Sequence, residues 1–186
     1  MQGLMQYQPL LVTAFLEHAA TNHAQIPIVS WNSNKLFRYT YGDAAARARR
    51  VASSLRRLGY GLGDFVGSLA WTTNRHFELM YAVPGIGATL HTANPRLSDS
   101  HVIYTINHTG ERLLFVDPDC IEQAEAIAGQ LKTVDTFVIM ADRSEVAPTR
   151  LPNVIYYEDL VADGDEGFSW PEFDERTAST LCFTSG

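Results

Sequence analysis

Cysteine is scarce: Cys120 and Cys182 are the only two among 186 residues. Two cysteines so far apart form neither a disulfide framework nor a CxxC metal pair. There is no basic stripe with interleaved aromatics, and the formal net charge is −7. A nucleic-acid binder would show the opposite balance. No apolar run approaches the roughly 20 residues that a membrane span needs. Near the N-terminus the Leu10-Leu11-Val12 cluster is short and has no basic flank, unlike a signal peptide. The default expectation is therefore a cytoplasmic protein. No internal repeat and no low-complexity segment occurs.

What is present is ordinary for a folded domain. Hydrophobic residues make up 46% and charged residues 19%, which argues against disorder. The length suits one good-sized domain or parts of two. Charge is uneven. Residues 135–186 carry eleven acids and three bases, a net −8, whereas residues 1–134 are at +1. The acids from Glu158 to Glu166 and from Glu172 to Glu175 read as a solvated connection, since they lack the regular spacing of a calcium loop.

Periodicity sets out the elements. Leu11, Phe15, His18 and Ala19 share one side of a helix over 10–20. Ile26–Trp31 and Leu36–Tyr41 flank the turn Asn32-Ser33-Asn34 as a hairpin. Thr40 and Asp43 have capping-box spacing, opening a helix that Gly59 ends. Its apolar arc holds Ala44, Ala48, Val51 and Leu55. Arg47, Arg49, Arg50, Arg56 and Arg57 fall opposite, as a solvated face. Strands follow at 65–71, 88–92, 112–116, 136–140, 154–156 and 180–183. Helices lie between them: Asn74–Tyr81 capped by Thr73, one capped by Ser98, one around Ile121–Leu131, and Glu158–Val161. Strands alternating with helices imply α/β architecture, a largely parallel sheet covered by helices. Gly59-Tyr60-Gly61-Leu62-Gly63 is not a dinucleotide fingerprint, because a helix precedes it and a strand follows.

The end of the chain carries the sharpest chemical pattern. Leu181-Cys182-Phe183-Thr184-Ser185-Gly186 is an apolar strand entering a small, hydroxyl-bearing turn. An ordinary turn has this look. So does the start of a phosphate-binding loop, where hydroxyls and backbone N–H groups meet an anion. Other residues read as structural. His76 and His91 have no acidic partner assignable from spacing. Asn94-Pro95 is a turn. Cys182 is expected to be buried in its strand, and Phe77, Met80 and Tyr81 in the core.

Several segments together resemble the adenylate-forming acyl-CoA synthetases, and among them the medium-chain fatty-acid CoA ligases. These are Phe37-Arg38-Tyr39-Thr40-Tyr41, Gly59 through Asp64, Leu69 through Glu78, Ala82 through Ala88, Leu90-His91-Thr92-Ala93-Asn94-Pro95-Arg96-Leu97, and Trp170 through Glu175. The resemblance covers nearly the whole chain in order. Phe183, Thr184, Ser185 and Gly186 match the first four positions of the family's phosphate loop. The resemblance implies that Thr184, Ser185 and Gly186 belong to an ATP site. It implies ATP, Mg²⁺ and CoA as cofactors of the full-length enzyme, a fatty acid as substrate, and a possible homodimer. It assigns no catalytic residue and no metal ligand to these 186 positions. The expectation is an N-terminal piece, inactive alone and binding none of these cofactors. Residues 1–64 form an entry segment that contributes to a neighbouring sheet, and 65–186 an α/β subdomain. Two other classes stay open: a stand-alone interaction module that keeps the fold without the chemistry, and an unrelated small nucleotide-binding α/β domain.

Overall fold

The computed structural model describes residues 3–4, 8–32 and 35–184. Helix α1 (Thr13–Asn22) leads to strands β1 (Pro27–Asn32) and β2 (Lys35–Thr40), which pair antiparallel with Trp31 opposite Leu36. They form a sheet of their own. Ser33 and Asn34 of the expected turn lie outside the described residues. Helix α2 (Tyr41–Arg57) opens with the predicted box: Asp43 N–H donates to Thr40 Oγ1 at 3.2 Å, and Thr40 N–H donates to Asp43 Oδ2 at 2.9 Å. The Thr40 hydroxyl also donates to Asp43 Oδ2 at 2.7 Å, and this bond first, then the one from the Thr40 N–H, holds the Asp43 carboxyl below its usual range.

The remaining elements alternate. They are β3 (Phe65–Leu69), α3 (Asn74–Gly85), β4 (Thr89–Ala93), α4 (Asp99–Thr109), β5 (Leu113–Val116), α5 (Ile121–Ile127), β6 (Thr136–Ile139), β7 (Val154–Tyr156), α6 (Tyr157–Asp163) and β8 (Thr180–Leu181). All six strands from β3 onward run parallel, in the order β7-β6-β5-β3-β4-β8. Strand β5, Leu-Leu-Phe-Val, is buried at every position, as a strand covered on both faces requires. One face carries Val66, Leu90, Phe115 and Val138, packed against Val51, Leu55, Leu79, Val83 and Tyr157 of α2, α3 and α6. The other carries Leu69, Val116, Phe137 and Ile139 under Val102, Ile106 and Ala124 of α4 and α5. Parallel β5 and β6 are neighbours, with Leu114 beside Phe137.

Long-range packing changes several local expectations. In α1 the buried arc is Thr13 and Leu16, while Phe15 is 70% exposed. Leu16 packs on Ala45 and Ala48, and a ten-residue helix offers too few turns for the pattern to choose its side. Helix α3 runs past Tyr81 and through Pro84 to Gly85. Its first N–H is capped from another element, because Ser30 Oγ accepts from Asn74 N–H at 3.0 Å, and the Thr73 side chain does not cap it. Ser98 likewise turns its hydroxyl to Ser100 and His101 rather than to the α4 backbone. Phe77 and Tyr81 are only partly buried, packing beside Leu16, Ala45 and Ala48 rather than in the sheet core, and Met80 is exposed. Strand β8 ends at Leu181, so Cys182 is exposed, 3.1 Å from Thr92 Oγ1, and is not a buried thiol.

The arginine face of α2 is not simply solvated. Glu78 of α3 is fully buried. Arg47 Nε donates to it at 2.9 Å and the Tyr157 hydroxyl at 2.8 Å. The other Arg47 nitrogens donate to both oxygens of Glu158 at 3.0 Å. Arg75 adds bonds to Glu158, Glu145 and the Met140 carbonyl. Arg49 pairs with Glu17, and Arg50 with Glu166. The acidic connection therefore supplies counter-ions to α2 and α3, while Asp163, Asp165 and Glu172 are exposed or half-exposed as expected.

Candidate active site

Connections run from β3 to β4 on one side, then return past β3 to β5 and on to β6 and β7. The strand order therefore reverses between β3 and β5. In open α/β sheets, ligands bind outside the carboxyl ends of the strands near such a reversal. A cleft of about 350 Å³ lies there, lined by Trp31, Trp71, Arg75, Asp117, Asp119 and Met140. Asp117 follows β5. It accepts from Asp119 N–H at 3.1 Å, and its own N–H donates to the Leu69 carbonyl at 3.0 Å. Burial pushes its carboxyl above the usual range. The sequence marked no cleft here, because residues from the hairpin and three strands meet only through the strand order.

The turn singled out in the sequence leaves the same edge two strands away. Strand β8 pairs with β4 through Leu90 and Thr180, then His91 and Leu181. Leu90 N–H donates to the Ser179 carbonyl at 3.0 Å. Thr184 is exposed beyond that strand end. Ser185 and Gly186 lie outside the described residues. Among the described residues no three His, Cys, Asp or Glu side chains converge as a metal site.

The two histidines differ. His76 Nε2 lies 3.3 Å from the Ser68 hydroxyl, and burial lowers its pKa. His91 has an acidic partner after all: its Nδ1 lies 2.7 Å from Glu111 Oε1, with both side chains buried. Glu111 lies twenty residues away, just after α4, so spacing carries no signal for the pair. Gly67 stands beside His91 in the β3–β4 register. A Cβ there would come within 2.6 Å of Glu111 Oε1, so the missing side chain makes room for the carboxylate. His91 Nε2 and Glu111 Oε2 have no hydrogen-bond partner among the described residues. An unsatisfied buried polar atom costs about 1–3 kcal/mol.

A parallel sheet with a hydroxyl turn at its carboxyl edge is the frame of nucleotide-using α/β proteins. Residues 16–186 match the AMP-binding enzyme family, and the chain belongs to it. It is 44% identical to the 3-methylmercaptopropionyl-CoA ligase of Ruegeria lacuscaerulensis over 187 residues, covering 100% of this chain and 35% of that protein. It is 37% identical to the medium-chain-fatty-acid–CoA ligase of Ectopseudomonas oleovorans, covering 100% and 34%. The chain thus spans about a third of the length of these relatives. In fold it is similar to a long-chain-fatty-acid-CoA ligase from Archaeoglobus fulgidus, with TM-score 0.80, 15% identity and coverage of 98% and 36%. No helix among the described residues is long and apolar enough to cross a membrane.

Proposed function

We propose that this chain forms the N-terminal part of an acyl-CoA ligase acting on a fatty-type carboxylic acid. In the first step a carboxylate oxygen attacks the α-phosphorus of ATP and pyrophosphate leaves. In the second the CoA thiol attacks the acyl-adenylate and AMP leaves. The observation that carries this reading is the family match, which runs through the sheet and its terminal hydroxyl turn. Thr184, Ser185 and Gly186 are the proposed phosphate contacts, since hydroxyls and backbone N–H groups stabilise charge developing on the phosphates. Division at residue 64, Mg²⁺ dependence, a cytoplasmic location and homodimerisation complete the proposal. For the dimer, the exposed hairpin side chains Val29, Trp31 and Leu36 are the apolar surface that supports it.

The full-length protein is assayed for pyrophosphate release with ATP and a panel of 3-methylmercaptopropionate, octanoate and palmitate. Mass spectrometry follows the acyl-CoA formed. Release that depends on one of these acids, with the matching thioester after CoA is added, is expected. No acid-dependent release with any of them overturns the reading.

A further inference from the structure

Phe183 is the last side chain before the hydroxyl turn, and it is held between two histidines. The His91 ring meets it edge to face at 5.3 Å and the His108 ring at 5.9 Å. Tyr104 stacks on His108 at 5.6 Å. His91 and His108 belong to different elements, β4 and α4. Phe183 therefore fixes the end of β8 against both the sheet and the helix above it. Strand β8 itself contributes only two paired residues, too few to set the direction of the chain that leaves it.

The His91 ring is in turn fixed by Glu111, and Glu111 by the space at Gly67. An apolar residue at position 91 would pack this face of the sheet without two unsatisfied polar atoms. A buried polar pair kept in that state is a candidate for a role beyond packing. Its remaining contact with the chemistry is the Phe183 ring.

We propose that His91, oriented by Glu111, and His108 are positioning residues for the nucleotide turn, acting through Phe183. The inference rests on the ligase reading and adds to it the device that aims Thr184 at the ATP phosphates. Edge-to-face aromatic contacts are directional. Removing one releases the turn without removing any group that touches ATP or the acid. The loss then appears in ATP binding rather than in binding of the acid.

The test is a pair of double-mutant cycles in the full-length protein: Phe183→Leu with His91→Asn, and Phe183→Leu with His108→Ala. His91→Asn keeps a polar group for Glu111 but removes the ring. His108 and Phe183 are exposed, so the second cycle leaves the core intact. It stands alone if His91→Asn loses cooperative melting. Each single change is expected to raise the KM for ATP about tenfold and leave the KM for the acid within about twofold. Each double variant is expected to be no worse than its worse single, the coupling of residues that act as one unit. Phe183→Tyr, which retains the ring, is expected to bring the ATP KM back near its starting value. Singles that multiply to about a hundredfold, a rise in the acid KM equal to that for ATP, or singles indistinguishable from the parent overturn the proposal. If the parent protein releases no acid-dependent pyrophosphate, the ligase reading fails instead. The same cycles are then read from the Kd of a fluorescent ATP analogue. Additive effects, or no effect, on that Kd overturn the positioning role.

Discussion

Replacing Arg47 by Met leaves Glu78 buried without its cation, and the structure sets the size of the effect. Glu78 is fully buried, and Arg47 is its only charged partner by direct contact among the described residues, at 2.9 Å. Removing one member of a buried ion pair costs about 3–5 kcal/mol. The Arg47 side chain is 23% exposed, so the lower end applies, about 3 kcal/mol. For a chain of this size that lowers Tm by about 6–12 °C. Burial, the largest influence, already pushes the Glu78 carboxyl above its ordinary value of 4.5, with Arg47 and Tyr157 pulling it back. In the variant it rises further. A carboxyl whose folded pKa lies above its unfolded one favours the fold most below the unfolded value. That advantage fades as pH rises through the folded value. The penalty of Arg47→Met should therefore be greatest near pH 7 and shrink as pH falls toward 4.5 and below. Adding Glu78→Leu removes the stranded charge. Tyr157 then keeps only the longer bond to the Arg75 carbonyl, at 3.3 Å, and Glu158 keeps Arg75 at 2.8 Å. The double variant should lose only about 1–2 kcal/mol. Urea unfolding followed by circular dichroism at pH 7 and pH 4.5 measures both. A double variant as unstable as Arg47→Met at pH 7 would refute the reasoning.

Two further outcomes are expected. Glu125 accepts from the Arg150 backbone N–H, the Thr149 hydroxyl and the Arg150 guanidinium at 2.6–2.9 Å, and these bonds lower its pKa from 4.5 to about 2. Its contribution is complete above pH 4.5 and is lost as pH falls from there toward 2. An NMR carboxyl titration giving Glu125 a value near 4 would contradict this, as would a Glu125→Gln variant whose deficit is the same at pH 6 and pH 2. Cys182 is exposed, whereas burial, with Asp117 and Asp119 nearby, pushes the Cys120 thiol up to about 12. Iodoacetamide at pH 8 should label Cys182 and spare Cys120 in peptide mass spectra. Equal labelling of the folded protein would count against the buried site.

Much of the fold was legible because its causes are local. The Thr40–Asp43 box, the glycine after Arg57 and the apolar runs at 113–116 and 136–139 each act within a few residues. Acids and bases in the same chain stretch were legible only as composition. Arg47 meets Glu78 from 31 positions away and Glu158 from 111, and the strand order decides that meeting. Ser30 as the cap of α3 escaped for the same reason, being 44 positions from Asn74. Cys182 looked buried because its neighbours are apolar, yet β8 is an edge strand that ends one residue earlier. The hydroxyl turn was legible as a pattern. The His91–Glu111 pair behind it was not, because its only sequence signal is a glycine at position 67 whose purpose appears once β3 and β4 lie side by side.

The place of β8 at the edge also has a meaning in time. Ala93 ends β4 and Thr180 begins β8, 87 positions later. Ribosomes add about 5–20 residues per second, so β4 waits about 4–17 s after its own synthesis for its outer partner. Its inner edge is satisfied early by β3. Its outer edge then shows Leu90 and His91 with unpaired N–H and C=O groups, the kind of template onto which a foreign strand adds. The residues of β8 are thus both the entrance to the proposed nucleotide site and the cover that ends this interval of vulnerability.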